Sequence, residues 1–470
     1  PLTAAHAWIV REAATPIEVM YAPLWRVTLL VLSPTRSVLV LTQHHLITDA
    51  WSARQFVTDL LAAYDSDTSL PSLPVQYRDY VAWQQRYLRS AGAQVSRAYW
   101  RTTLDGVPPA MALPTDRPRP VARTNVGARV RLDVSAGSRR ALEQLATTQH
   151  ASPFMAWLAI VQVMLRAYAG HDAIWLGTPV AGRHDPMLNE QLGMFVNTVV
   201  LTGTVSPAQT FRERLQQAVQ TAVAAFEHAA YPFDRVVDAL DVPRDPSRSP
   251  LFDVLLTYDA IVPMPAPTRG VQISDIDIDV PLAKFDLTIG VREHDAGLTV
   301  EFEYNRDLFD AARMSAMLTD MLVMLDELVA HPDRSLGEHA WFARSAAAVA
   351  SPTMASRAVS TISARHAGEA ELLPMIGQLR RLWASVLQVD EIGADDDFFS
   401  LGGDSILALQ VVARARAQQV PLTVRQLFTH PTLRALASIV GRLPSTPVAR
   451  PVSVGGLTPI QQEFLGDGRA

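Results

Sequence analysis

The chain has 470 residues and a net charge of −6, which argues against a nucleic-acid-binding protein because such proteins usually present a basic face. It contains no cysteine, so disulfides, thiolate metal ligands and a cysteine nucleophile are excluded. The first residues lack the basic-then-apolar pattern of a signal peptide, and the most apolar run, residues 154–165, is too short to span a bilayer. We therefore expect a cytoplasmic protein that does not associate with membranes.

Taken in chain order, the first predicted element is a β-hairpin over residues 25–42, where two β-branched and apolar runs flank a Ser-Pro-Thr turn. The second run leads into the sequence HHLITDAWS at 44–52, and apolar residues at helical spacing follow it. The paired histidines are thus predicted to lie on a strand-to-helix connection. From about residue 90 to 340 helices and strands alternate, and Ser152 with Pro153 is typical of a helix start. This alternation predicts the α/β class.

The C-terminal third has a different composition. Residues 343–370 are rich in Ala and Ser without a clear period, which indicates a linker. Residues 371–445 show the pattern of a compact, mostly helical domain, with two short helices separated at His430-Pro431. Residues 446–470 are interpreted as a second linker followed by the first turns of a further domain.

The histidine motif has a structural and a chemical interpretation. Neighbouring residues on a strand point to opposite faces, so His44 and His45 would not both face one cavity, which disfavours a metal site. In the structural interpretation one histidine is a satisfied core residue and Asp49 caps the next helix. In the chemical interpretation one histidine faces a cavity and acts as a general base near neutral pH.

The motif resembles HHxxxDG, the signature of condensation domains in nonribosomal peptide synthetases and of their acyltransferase relatives. Further segments are similar to later condensation-domain motifs and occur in the same order: YRDYVAWQ at 77–84, LGMFVNT at 192–198, YPFDRVVDAL at 231–240 and RDPSRSPLFDV at 244–254. The resemblance identifies residues 1–342 as a condensation domain.

This resemblance implies a fold of two chloramphenicol-acetyltransferase-like lobes with a tunnel between them. His45 would face the tunnel, where it accepts a proton from an attacking α-amine or orients that amine. Asp49 would be structural and paired with Arg183, because a buried charge needs a partner. His44 would help to pack and orient the loop. Asn197 would lie near the tunnel, although plain loop structure explains it equally well.

Two departures from the family pattern leave the activity open. Ala50 replaces the glycine that follows the aspartate, so a methyl group would narrow the tunnel or strain the loop. The family also has a longer segment before the histidines, so the first lobe is expected to be incomplete. The order Trp51-Ser52 favours a condensation domain, because epimerization domains usually place the serine before the tryptophan; cyclization domains replace both histidines with aspartate.

The sequence DDDFFSLGGDSILALQ at 395–410 closely resembles the signature of peptidyl carrier proteins, LGGDSI. Asp404 is a candidate N-cap and Ser405 opens a helix, where a phosphate would meet the positive helix end; without this context Ser405 would be only part of a cap. The resemblance implies a small four-helix carrier in which Ser405 carries 4′-phosphopantetheine. The thiol of that arm would hold an amino acid or peptide as a thioester.

Together these features predict a condensation–carrier didomain of a nonribosomal peptide synthetase that forms amide bonds. The linker is too short for an adenylation domain, so the expected partners are an upstream donor carrier protein, a trans-acting adenylation enzyme, a phosphopantetheinyl transferase and a downstream synthetase domain. Two alternatives stay open. One is a non-catalytic carrier and docking scaffold with a degenerate condensation half, and the other is an ester-forming acyltransferase with a soluble acceptor.

Overall fold

The structure is a computed structural model. It describes residues 2–65, 69–106, 113–240, 242, 245–260, 270–276, 278, 280–342, 373–387, 389, 392–396, 398, 401, 411–412, 414–415, 418, 420–422, 426–427 and 430–440. The chain divides into two compact units. The first comprises residues 1–118, 125–240 and 251–349, and the second comprises 119–124, 241–250 and 350–470.

The N-terminal part of the first unit is a helix and a two-stranded sheet. Helix α1 (Leu2–Ala14) lies against an antiparallel hairpin made of β1 (Trp25–Ser33) and β2 (Arg36–Gln43). Glu12 of α1 forms an ion pair with Arg26 of β1. Alternation along β1 leaves an apolar row exposed, formed by Trp25, Val27, Leu29 and Val31. The predicted hairpin is therefore confirmed.

The paired histidines follow this hairpin directly. One turn of 3₁₀ helix, His45–Ile47, joins β2 to helix α2 (Ala50–Asp65). Helices α3 (Tyr77–Leu88) and α4 (Ala91–Thr103) come next. The prediction that the motif lies on a strand-to-helix connection is confirmed, with the short helical turn as the added detail.

A six-stranded mixed sheet organises the rest of the first unit, in the order β3-β8-β7-β6-β4-β5. Its strands are β3 (Gly127–Val134), β4 (Ala173–Val180), β5 (Asn197–Thr204), β6 (Val254–Asp259), β7 (Leu287–His294) and β8 (Gly297–Asn305). The β4–β6 and β6–β7 pairs are parallel and the other pairs are antiparallel. The sheet and its helices confirm the predicted α/β class.

Five helices accompany this sheet: α5 (Ala136–Thr148), α6 (Pro153–Ala169), α7 (Phe211–Glu227), α8 (Phe233–Leu240) and α9 (Ala311–Ala330). Helix α6 is almost entirely buried, and the Ser152 hydroxyl caps it by accepting a hydrogen bond from the Met155 amide. Gly170 ends it in a left-handed conformation at φ 75°. The predicted start of this helix at Ser152-Pro153 is confirmed.

Within the described residues, no single helix has the length and apolar character to cross a membrane. Helices α5 and α6 are long and apolar enough only when they are taken together, and the two are bent by 108° at the break between them.

The carrier region has its own hydrophobic core. Helices Leu373–Leu387 and Leu433–Val440 contribute to it, and the rings of Trp383 and Phe398 pack edge to face with centroids 5.0 Å apart. Leu401 packs against the same core. Asp404, Ser405 and the predicted linkers at 343–370 and 446–470 lie outside the described residues.

Candidate functional site

The His45 side chain is exposed at the end of the hairpin. Its Nδ1 atom lies 2.7 Å from the Thr48 carbonyl oxygen. A carbonyl oxygen only accepts, so Nδ1 carries the hydrogen and Nε2 keeps its lone pair. This arrangement fixes the tautomer and offers Nε2 as a hydrogen-bond and proton acceptor.

His44 differs from its neighbour in both burial and contacts. Its Nδ1 accepts a hydrogen bond from the Leu46 amide at 3.2 Å and so caps the 3₁₀ turn. Its backbone amide donates to the Leu24 carbonyl at 2.9 Å. Burial, followed by the proximity of His45, lowers the pKa of His44 below its ordinary value. The neutral ring therefore serves as an acceptor that shapes the turn.

Asp49 is buried and binds two separate parts of the chain. One carboxylate oxygen accepts the Ser52 amide at 2.7 Å and so caps helix α2. The other oxygen accepts the amides of Phe195 at 2.9 Å and Val196 at 3.2 Å. Asp49 thereby ties the histidine turn to the segment that precedes β5.

Arg183 lies beside Asp49, with an Nη2–Oδ1 distance of 3.4 Å and a side chain that is 1% exposed. Its Nη1 donates to the carbonyls of Leu188 and Gln191, and its guanidinium lies 4.1 Å from the centre of the Phe195 ring. Burial lowers the pKa of Arg183, and Asp49 opposes that shift. The structure thus brings together the two residues that the family resemblance suggested as a pair.

Ser52 and Trp51 join the same arrangement, and sequence reasoning did not identify these roles. The Ser52 hydroxyl donates to the Gly193 carbonyl at 2.7 Å and accepts from the Gly193 amide at 3.1 Å. It also accepts from Arg183 Nη2 at 2.7 Å. Trp51 Nε1 donates to the Asn189 carbonyl at 2.9 Å.

Helix α3, which carries the YRDYVAWQ sequence, supports residues 193–195 from another direction. The Tyr77 hydroxyl donates to the Met194 carbonyl at 2.9 Å, and the Tyr77 and Phe195 rings pack edge to face at 5.1 Å. A Cβ atom on Gly193 would lie 2.2 Å from the Tyr77 ring, so only glycine fits there. The later motif is thus a scaffold for the segment that Asp49 and Ser52 bind.

Gly182 precedes Arg183 and has a left-handed backbone with φ +65°. A Cβ atom at this position would lie 1.9 Å from the Phe195 carbonyl oxygen. Glycine is required here both by the backbone conformation and by the close approach of the 195 carbonyl.

Asn197 is the first residue of β5, and its side chain binds the turn before α8. Its Nδ2 donates to the carbonyls of Ala229 at 2.8 Å and Tyr231 at 2.9 Å, and its Oδ1 accepts the Phe233 amide at 3.0 Å. Both amide hydrogens are therefore committed to this turn, which corresponds to the YPFD sequence. A direct catalytic role for Asn197 stays a prediction.

Ala50 is exposed and is the first residue of α2. Among the described non-glycine residues, only His150 and Leu251 have a positive φ, so Ala50 occupies ordinary helical backbone. The backbone strain considered for this departure from HHxxxDG does not occur.

The site therefore offers an exposed imidazole acceptor held by a buried network of hydrogen bonds. No three His, Asp or Glu side chains of the described ranges lie close enough together to hold a metal ion. The chemistry that this arrangement can supply is hydrogen bonding, with His45 Nε2 as the exposed acceptor.

Comparison with known families agrees with this geometry. The condensation-domain family model matches residues 2–345. The chain belongs to the condensation-domain family. A second family model, the phosphopantetheine attachment site, matches residues 377–440 of the same chain. The prediction of a condensation domain followed by a carrier domain is therefore confirmed, and so is the prediction of 4′-phosphopantetheine as the cofactor.

Relatives of this condensation domain are subunits of linear gramicidin synthase and plipastatin synthase. One component of the linear gramicidin synthase from Brevibacillus parabrevis is 35% identical over 339 residues, which is 71% of this chain and 7% of that relative. The chain therefore spans only a small part of such relatives.

Solved structures share the condensation-domain fold. The X-domain in complex with OxyB from teicoplanin biosynthesis has a TM-score of 0.66 at 23% identity, covering 71% of this chain and 76% of that one. A four-domain nonribosomal peptide synthetase in its holo form, bound to AMP and glycine, also has a TM-score of 0.66, at 21% identity, covering 89% of this chain and 32% of that one. The predicted chloramphenicol-acetyltransferase-like fold is confirmed.

Proposed function

We propose that this chain is the condensation and carrier portion of a nonribosomal peptide synthetase, and that it joins an acyl or peptidyl thioester to a carrier-bound aminoacyl amine. The observation that carries the proposal is the His45 ring, which is exposed and has Nδ1 fixed to the Thr48 carbonyl at 2.7 Å. The match of both family models along one chain supports it.

In the proposed reaction the amine nitrogen attacks the thioester carbonyl carbon. A carbon–nitrogen bond forms, the carbon–sulfur bond breaks, and the proton lost by the amine ends on the leaving thiolate. His45 Nε2 is the acceptor that takes this proton, or that holds the N–H so that the nitrogen lone pair faces the carbonyl. Holding two tethered substrates in line supplies most of the acceleration, because it replaces a bimolecular encounter.

The two roles of His45 are separable by substitution. His45→Gln keeps a hydrogen-bonding side chain but cannot carry a proton at neutral pH. Product formation close to that of the wild type in His45→Gln would identify positioning, and a loss as large as in His45→Ala would identify proton transfer.

Ser405 is the proposed attachment site of 4′-phosphopantetheine, and Asp404 beside it stays a cap residue predicted from the sequence alone. When bound, the arm supplies a terminal thiol that carries the acyl group as a thioester. After incubation with coenzyme A and a phosphopantetheinyl transferase, intact-mass measurement should show one added arm. Ser405→Ala should abolish it, whereas Ser400→Ala, a serine in the same segment, should keep it. An arm retained in Ser405→Ala would refute the assignment.

The proposed partners follow from the proposed reaction. An upstream carrier protein would present the donor thioester, and a downstream synthetase domain would take the product. An adenylation enzyme would load the carrier in trans, because only residues 346–376 separate the two family matches. We also propose a cytoplasmic location.

Catalysis is tested by giving the full chain a loaded donor carrier and a loaded Ser405, and by measuring the amide product with mass spectrometry. Product that disappears in His45→Ala and persists in His331→Ala, an exposed histidine at the end of α9, would support the enzyme. Equal amounts of product from His45→Ala and from the wild type, or no product from the wild type, would favour the non-catalytic carrier and docking scaffold. Product from a free alcohol acceptor would favour an ester-forming acyltransferase.

A further inference from the structure

Asp49 and two residues of the first turn of α2 bind residues 189–196 through their side chains, and the shortest of these contacts is the 2.7 Å bond from the Ser52 hydroxyl to the Gly193 carbonyl. Asp49 accepts two backbone amides, Trp51 donates to one carbonyl, and Ser52 both accepts from and donates to Gly193. The Ser52 residue is 1% exposed. A hydroxyl has one donor and two acceptor positions, and all three are used here.

Ser52 is also the nearer partner of the buried guanidinium. Arg183 Nη2 lies 2.7 Å from the Ser52 hydroxyl oxygen and 3.4 Å from the Asp49 carboxylate. The first distance is that of a strong charge-assisted hydrogen bond, whereas the second is longer than such bonds usually are. The hydroxyl at Nη2 and the two carbonyls at Nη1 therefore orient the guanidinium over the Phe195 ring together, and Asp49 contributes less.

The position of His45 depends on this turn of helix. The His45 Nδ1 atom is bound to the Thr48 carbonyl, and the Thr48 hydroxyl donates to the Asp49 carbonyl at 3.3 Å. Residues 45–52, which connect the imidazole to the Ser52 hydroxyl, are thus a short segment held by hydrogen bonds along its length. A displacement of the first turn of α2 relative to Gly193 would move the ring with it.

We propose that Ser52 is a positioning residue for the condensation reaction. Its hydroxyl fixes the histidine turn against residues 193–196 and orients Arg183, and it does not contact the reacting groups. The catalytic part of this inference rests on the proposed function of His45, whereas the structural part does not.

The test compares Ser52→Ala with Ser138→Ala in the full chain. Ser138 is a matched control because it is also the third residue of its helix, is 8% exposed, and has a bonded hydroxyl and a capped amide. Its hydroxyl binds Asp326 of α9, outside the site. Ser52→Cys keeps a side chain of similar size with weaker hydrogen bonding and replaces Ser52→Ala if that variant does not fold.

The first measurement is hydrogen exchange, which needs no catalysis. Ser52→Ala leaves the Gly193 amide without its acceptor and loosens the segment, so we expect exchange at residues 193–196 to be roughly tenfold faster, with no such change in Ser138→Ala. Unchanged exchange in Ser52→Ala would overturn the inference, whether or not the wild type forms product.

The second measurement is product formation with loaded carriers. A misplaced catalytic group lowers turnover by up to about 100-fold without weakening substrate binding, so we expect kcat to fall roughly 10- to 100-fold in Ser52→Ala while KM for the donor carrier stays within about twofold. Unchanged kcat per folded molecule would overturn the positioning role. A wild type that forms no product would instead overturn the proposed function and leave the exchange result standing.

Discussion

The pair formed by Asp49 and Arg183 should respond asymmetrically to removal of either partner. Asp49→Ala leaves the guanidinium without its carboxylate and deprives the amides of Ser52, Phe195 and Val196 of their acceptor. Breaking a buried pair in this way costs about 3–5 kcal/mol of unfolding free energy. We expect Asp49→Ala to lie in the upper half of that range.

Arg183→Met should cost less. The Asp49 carboxylate keeps its three backbone N–H donors, the ion-pair contact that is lost is 3.4 Å long, and methionine can pack on the Phe195 ring. Arg183→Met removes a donor from the Gln191 carbonyl and from the Ser52 hydroxyl, at about 1 kcal/mol each. The Leu188 carbonyl also loses a donor but keeps the Gln191 amide at 3.2 Å, so the total loss should be about 2–3 kcal/mol. The two variants should therefore differ by at least about 1 kcal/mol.

Urea denaturation followed by tryptophan fluorescence measures this difference. Trp383 alone among the nine tryptophans lies beyond residue 342, so a Trp383→Phe background reports only on the condensation domain. Asp59→Ala, in the helix that Asp49 caps, is the control and should cost under about 1 kcal/mol. An Arg183→Met variant that loses as much stability as Asp49→Ala, at equal m-values, would refute the view that backbone amides dominate at Asp49.

Three further changes test other parts of the site. Gly182→Ala should prevent native folding, seen as loss of the cooperative transition, because its Cβ would lie 1.9 Å from the Phe195 carbonyl oxygen; a folded variant would show that this approach can relax. Ala50→Gly should change product formation by less than about twofold and lower stability by up to about 1 kcal/mol, because Ala50 has ordinary helical backbone; a large gain in product would show that the methyl group obstructs the substrate. Burial lowers the pKa of His44 in the folded protein. As the pH falls below the ordinary value of 6.5, the unfolded chain therefore binds a proton at this ring before the folded chain does, and the free energy of unfolding declines between pH 6.5 and the lowered pKa of the folded state. His44→Asn should flatten the decline relative to the wild type in denaturation series at several pH values, and an unchanged slope would assign it to other groups such as His184, whose pKa is also lowered by burial.

The parts of the fold that were predicted from sequence are those with local signals. The hairpin at 25–42 is specified by two β-branched runs around a turn, and α6 by a serine cap, a proline and a continuous apolar run. In both elements the residues that specify the structure lie close together in the sequence, and the tertiary contacts of the fold agree with these local preferences. The position of His45 on the connection follows from the same local rules.

The role of Ser52 could not be predicted in this way. Its partners Gly193 and Arg183 lie more than 130 positions away, and two of its contacts are to backbone atoms, which leave no mark on the partner's residue type. Asn197 is a similar case, because it binds carbonyls and an amide at 229–233. The pairing of Asp49 with Arg183 was suggested by resemblance to the family rather than by spacing.

The bonds from Asp49 to the amides of Phe195 and Val196 span 146 and 147 positions. During synthesis on the ribosome, the imidazole emerges long before the amides that anchor its turn, and closing so large a loop is entropically costly and slow. The turn that carries His45 therefore stays without these two anchors until residues 195 and 196 have emerged. Under the proposed function, a nascent chain that ends before residue 195 would lack a fixed imidazole.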